Sequence, residues 1–128
     1  MTGADRAVVT EMLVASRRQD WDRVAELLDP DVVWYLPGNS RISGLAVGRE
    51  AVVARAQVID AAKLTVDPQH MLIGYRSIVA TIHNTAVRPV ELDEWLALVF
   101  TLRSGRIATI DTHLSDIPML ERFYSALT

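Results

Sequence analysis

The feature that most limits what this chain can fold into is a change of hydrophobic period near its midpoint. Up to Ala62 the apolar residues recur mainly at helical spacing, and from Leu64 onward they come in long β-branched runs. Helices and strands segregated in this way pack as one layer on another, which is the α+β arrangement. Three helices are expected in the first half. Over Thr2 to Arg18, residues Val8, Val9, Met12, Leu13 and Ser16 recur at helical spacing, and Thr2 and Asp5 are spaced as a capping box. Asp20 caps a second helix in which Trp21, Val24, Ala25 and Leu28 share a face before Asp29-Pro30 closes it. Gly48 to Ala62 puts Val52, Ala56, Ile59 and Ala62 on one stripe, with Glu50 in the first turn where the helix dipole favours an acid. Between the second and third helices, Asp31 to Leu36 is a strand that stops at Pro37-Gly38.

Four β-rich runs follow: Leu64 to Ile73, Ser77 to Thr85, Val90 to Leu102 and Arg106 to Ser115. Turn signals separate them, so an antiparallel meander is expected. Asp116 caps a last helix that tolerates Pro118 in its first turn and presents Ile117, Leu120, Phe123, Tyr124 and Leu127 on one face. With 128 residues and no repeat, linker or low-complexity segment, a single domain over residues 1–128 is expected.

Charge and composition narrow the function. Thirteen basic and 16 acidic residues, net −3, are spread along the chain without a positive stripe, so nucleic acid is not an expected partner. The absence of cysteine excludes disulfides, a zinc–thiolate site and a thiol nucleophile. The stretch "MTGADRAVVTEMLVASRRQD" carries Asp5, Arg6 and Glu11 within its apolar part, which suits neither a signal peptide nor a membrane span. No membrane partner and a cytoplasmic location are therefore expected. Three isolated histidines lack a metal-ligand pattern, and "GLAVGRE" lacks dinucleotide-loop spacing, so neither metal nor cofactor is expected.

The hairpin "ELDEWLALVFTLRSGRIATIDTHLSD" bears most on chemistry. A two-residue Ser104-Gly105 loop would set Leu96 opposite His113 and Leu98 opposite Asp111, mixing core with charge. A three-residue Arg103-Ser104-Gly105 loop instead sets Leu96 opposite Thr112, Leu98 opposite Ile110, Phe100 opposite Ala108 and Glu94 opposite Leu114. The second register is expected. It places Leu96, Leu98, Phe100, Ile110 and Leu114 inside, and Trp95, Ala97, Asp111 and His113 outside, where Asp111 and His113 form a solvated or dimer-contact patch. Glu94 is the only ionisable group on the inner face. It is either hydrated near a mouth or held in an apolar pocket with a raised pKa, able to exchange a proton near neutral pH. His83 falls on the less apolar phase of its run, opposite to Ile78, Ala80 and Ile82, which puts it outside. His70 follows Pro68, an edge or bulge signal that leaves its facing open.

In order and spacing, "QDWDRVAELLDPDVVWYLPG", "ISGLAVGREAV", "LVFTLRSGRIATI" and "IPMLERFY" resemble the SnoaL-like branch of the nuclear transport factor 2-like superfamily, over nearly the whole chain. The resemblance implies a cone-shaped, strongly curved antiparallel sheet wrapped around the three N-terminal helices, a short C-terminal helix, and a mostly apolar pocket. It also implies homodimers packed through the outer sheet face, for which Trp95, Ala97, Thr109, Asp111 and His113 are the expected contacts. Trp34 and Leu36 then face the pocket, and Asn39 lies near its rim. A ketosteroid isomerase-like enzyme would carry a carboxylate base where this chain has Leu36. A limonene epoxide hydrolase-like one would need an Asp-Arg-Asp set where Val79, Thr81 and Thr112 stand. The same matching turns His83 inward, against the apolar count.

Fold membership does not settle chemistry, and different expectations follow. One is an acid–base enzyme of isomerase, cyclase or hydrolase type acting on a small apolar carbonyl, polyketide-like or epoxide-like compound. Glu94 and His83 would be catalytic there, and Trp34, Leu36, Asn39, His70, Leu96, Thr112 and Leu114 would bind the ligand. Another is a binding or dimerisation module without chemistry. In a third, the cone is filled by its own side chains.

Overall fold

The computed structural model describes residues 2–128. Helix α1, Gly3–Arg17, begins at the expected capping box: the Asp5 N–H donates to Thr2 Oγ1 at 3.1 Å and the Thr2 N–H donates to Asp5 Oδ2 at 3.0 Å. Helix α2, Trp21–Leu27, is capped by Asp20, whose Oδ1 accepts from the Arg23 N–H. It is shorter than expected. Strand β1, Leu28–Leu36, takes over at once, so Asp29-Pro30 lies within the strand and does not close the helix. The pairing explains how a proline is accommodated there. Leu28 is matched with Ile107 and Val33 with Thr109, so the intervening residues bulge from the ladder, where a missing N–H costs no hydrogen bond.

Strand β2, Gly44–Val47, was not expected; it pairs antiparallel with β1, Trp34 opposite Ala46 and Leu36 opposite Gly44. Only Ala46 of its four residues is buried, which leaves no alternation for a sequence to display. Helix α3, Arg49–Ala61, follows directly. Strands β3 (Thr65–Ile73), β4 (Ile78–Ala86), β5 (Leu92–Arg103) and β6 (Arg106–Leu114) form the expected antiparallel meander. Helix α4, Ile117–Ala126, closes the chain, with Asp116 Oδ1 accepting from the Met119 N–H. The sheet order is β2-β1-β6-β5-β4-β3, and β1 runs parallel to β6. The result is an α+β fold whose six-stranded sheet is mixed, curved and unclosed.

The last hairpin departs from both registers weighed from sequence. Arg103 lies opposite Arg106, so the turn is the two-residue Ser104-Gly105, with φ of 52° and 77°. A bulge then shifts the ladder, after which Leu96 lies opposite Leu114, Leu98 opposite Thr112 and Phe100 opposite Ile110. This pairing differs by two residues from the expected one. Because side chains alternate with period two, such a slip leaves every residue beyond the bulge on its expected face. The bulge has its own cause in the core: it lets Ile107 and Ile110, three residues apart, both be buried.

Two local features tie the layers together. Arg55 of α3 is buried, and its guanidinium donates to the carbonyl oxygens of Trp34 (3.0 Å), Gly44 (3.2 Å) and Ser43 (3.3 Å) while lying 5.2 Å from the Trp34 ring centre. Gly38, after β1, has φ +97°, and a Cβ there would stand 3.0 Å from Ile117 Cγ2. Gly38→Ala is expected to destabilise the fold by about 1–2 kcal/mol from the backbone conformation alone. Urea denaturation of the two proteins checks this; an unchanged midpoint would show that the turn relaxes freely.

Candidate functional site

A cavity of about 460 Å³ lies between the sheet and helices α1 to α3, within the size range of small-molecule sites. Trp34, Ile82, Leu96, Leu98 and Ile110 are among its walls. The exposed residues Arg17, Gln69 and His70 also border it, between the end of α1 and strand β3, and mark where it opens.

Glu94 lies in this wall and is only 1% exposed, so of the two environments open to it the structure selects burial. Its two oxygens differ. Oε2 accepts from the Ser115 hydroxyl at 2.5 Å and from the Asp116 N–H at 2.7 Å. Oε1 is buried without a hydrogen-bond partner. Ser115 is itself held, since its Oγ accepts from the Trp95 N–H at 2.9 Å and its own N–H donates to the Trp95 carbonyl. Burial pushes the carboxyl above its ordinary range, while the hydrogen bonds from Ser115 and Asp116 pull it partly back. Removing one of them should show this: in Ser115→Ala the Glu94 titration, followed by carboxyl ¹³C NMR, is expected to move upward from the wild-type midpoint. A downward move would contradict the assigned roles.

Asn84 is a site residue that sequence reasoning missed. It continues the inward phase of Ile78, Ala80 and Ile82 by one more step, and that periodicity was the signal for it. It lines the cavity directly across from Glu94 in the β4–β5 ladder, and its Oδ1 is likewise buried and unpartnered. Deeper in the wall, the Trp34 indole N–H donates to Thr112 Oγ1 at 2.8 Å, which satisfies the one polar group of a large apolar side chain. Tyr124, also in the wall, has its hydroxyl pushed up to about 12 by burial.

Of the residues expected around a ligand, Trp34, Leu36, Leu96, Thr112 and Leu114 border the cavity, and His70 stands at its opening. His70 follows a register break in β3, and its N–H donates to Thr81 Oγ1. Asn39 does not border the cavity. It is exposed in the loop after β1, where its N–H donates to Glu121 of α4 at 2.7 Å.

The inward orientation of His83 is also corrected. With Ile82 and Asn84 on either side taking the inward phase, His83 lies on the outer face, as the apolar count indicated. There its Nε2 is 2.5 Å from Asp93 Oδ1, and its ring stacks on Trp95 with centroids 3.8 Å apart and planes 2° from parallel. Glu94 and His83 are thus on opposite sides of the sheet. Asp111 and His113 are exposed on the outer face, their side chains 3.5 Å apart. Among the described residues no group of three or more His, Asp or Glu is placed to hold a metal ion, and no helix is long and apolar enough to cross a membrane.

The curved mixed sheet with helices packed against it is the α+β fold shared with NTF2-like proteins. Residues 9–110 match the SnoaL-like domain, and the chain belongs to that family. Among solved structures it is similar to Bal32a, from a soil-derived mobile gene cassette, with 26% identity and a TM-score of 0.86 over 94% of this chain and 96% of that one. An NTF2-like protein of unknown function from Burkholderia pseudomallei is 24% identical, with a TM-score of 0.80 over 98% and 100% of the two chains. TerC, co-crystallised with polyporic acid, shares the fold at 15% identity, with a TM-score of 0.78 over 96% and 99%. Comparison with curated proteins gives no match.

Proposed function

We propose that this protein is an acid–base enzyme acting on a small, largely apolar carbonyl, polyketide-like or epoxide-like compound, with Glu94 as the proton carrier. The observation that carries this reading is the asymmetry of the Glu94 carboxyl: one oxygen is saturated by Ser115 and Asp116, and the other is free in the cavity wall. A carboxyl whose ionisation burial has displaced upward can give or take a proton closer to neutrality than an ordinary one. Trp34, Leu36, Leu96, Thr112 and Leu114 would enclose the apolar body, with His70 at the entrance. The co-crystal of TerC with polyporic acid supports a role for this architecture with organic ligands.

The direct test is exchange of the α-protons of an enolisable cyclic ketone, such as 2-tetralone, in D₂O, followed by proton NMR. Exchange above the buffer rate that depends on Glu94 is the expected result. The second reading, a binder without chemistry, is favoured by Leu36 at the position of a family base and by the outward placement of His83. It predicts saturable ligand binding with exchange at the buffer rate.

We also propose that two copies associate through Trp95, Ala97, Thr109, Asp111 and His113 on the outer face. Trp95 is 52% exposed there, an apolar surface poorly suited to water. Sedimentation should give a dimer at high micromolar concentration and a monomer for Trp95→Lys. Only monomer in the wild type would refute this.

A further inference from the structure

We infer that Asn84 and Glu94 together receive a single hydroxyl group, of an alcohol, phenol or enol, carried by an otherwise apolar ligand. This rests on the cavity being a ligand site, and it specifies what the polar end of that ligand must offer. The two residues face each other across β4 and β5 and both border the cavity. Asn84 Oδ1 and Glu94 Oε1 are the buried side-chain atoms left without partners among the described residues, and they do not bond to each other. Two unsatisfied oxygens beside an apolar cavity cost stability unless something arrives to pair with them.

What would pair with both follows from the other half of the carboxyl. Oε2 already accepts two hydrogen bonds, from the Ser115 hydroxyl and the Asp116 N–H, so its lone pairs are used. A proton held by Glu94 therefore sits on Oε1, the buried oxygen left without a partner in a residue that borders the cavity. Besides the amide N–H groups of Asn84, the site then offers one buried donor, Glu94 Oε1–H, and one buried acceptor, Asn84 Oδ1. A hydroxyl is the smallest group that answers both at once, accepting from Glu94 and donating to Asn84. A ketone or an ether can only accept and leaves Asn84 Oδ1 orphaned. An ammonium can only donate and requires an ionised Glu94, which the apolar wall and the nearby Asp116 oppose. On a substrate that enolises, Asn84 would favour the enol over the ketone, because only the enol O–H can donate to it.

The experiment is a binding panel on the full chain, by calorimetry at fixed pH, with probes of one shape: 2-naphthol, 2-methoxynaphthalene, naphthalene and 2-aminotetralin. The expected result is that 2-naphthol binds at least about tenfold more tightly than its methyl ether, because a site with an unpaired polar group penalises the analogue that cannot satisfy it. In Asn84→Leu that preference should shrink to about twofold or less while naphthalene binding persists. Equal affinity of 2-naphthol and 2-methoxynaphthalene for the wild type would overturn the inference and leave the ligand-site reading intact. Tighter binding of 2-aminotetralin would overturn it in favour of a cation receptor. If no probe binds, the ligand-site reading falls and this inference with it. The wild-type panel decides between these outcomes even if the variant does not fold.

Discussion

Replacing Glu94 by glutamine is expected to lower turnover of any substrate the cavity accepts by about 10²–10⁴-fold, the usual contribution of a positioned proton carrier. The substitution keeps the shape of the side chain. A glutamine Oε1 can take the place of the carboxylate oxygen that accepts from Ser115 and Asp116, so the link between β5 and the start of α4 persists. Its amide group then faces the cavity and can neither deliver nor remove a proton. Binding of an unreactive ligand should change far less than the rate, which separates lost chemistry from a damaged cavity. An unchanged rate in Glu94→Gln would remove Glu94 from the mechanism.

The same substitution should alter the pH dependence of stability, in a direction set by the sign of the Glu94 shift. The buried carboxyl titrates above its ordinary value of 4.5. The folded chain therefore keeps a proton that the unfolded chain has already released. Stability is greatest below the ordinary value and declines as pH rises towards the folded one. Glutamine cannot ionise and lacks this decline. The unfolding free energy of Glu94→Gln minus that of the wild type is thus expected to grow with pH above 4.5 and then level off. Urea denaturation across that range measures it; a difference that is flat or falls with pH would contradict burial as the dominant cause.

Arg55→Ala is the second large effect. The guanidinium donates to three carbonyl oxygens and lies against Trp34, and burial depresses its pKa. Truncation orphans those carbonyls and opens a hole beside Trp34, while relieving the cost of holding the charge away from water. The net loss is expected to be about 3 kcal/mol, since each orphaned acceptor costs roughly 1–3 kcal/mol and the relieved charge offsets part of the sum. For a domain whose whole stability is about 5–15 kcal/mol, that is a major fraction. Arg55→Lys should recover only part of it, because one ammonium cannot span acceptors on both β1 and the segment entering β2. Hydrogen exchange should show β2 opening first in both variants. A urea midpoint within error of the wild type for Arg55→Ala would show that the carbonyls find water instead.

Local pattern and tertiary context divide these results cleanly. The helix caps at Thr2, Asp20 and Asp116 were legible because a cap is an interaction over three residues, and its spacing is written in the chain. The inner and outer faces of β5 and β6 were legible because side-chain alternation survives a slip of two. For the same reason the true register was not legible, since only the burial of both Ile107 and Ile110 calls for the bulge. Strand β2 and the long irregular start of β1 depend on partners distant in sequence, and neither carries a periodicity of its own.

The site divides in the same way. That Glu94 stands alone among apolar residues on its face is a property of the sequence. That its Oε2 is saturated by Ser115 and Asp116 and its Oε1 is left bare beside Asn84 depends on how β5, β6 and α4 meet. For His83 the outward face was readable from the apolar count, and the contacts with Asp93 and Trp95 that fix its ring depend on how β4 and β5 pair. Amino-acid order alone determined the helices, their caps, the strands other than β2 and the polarity of each face, because these rest on contacts within a few residues. Folding in three dimensions decided which oxygens lack a partner, because a hydrogen bond is counted only when every neighbour is in place.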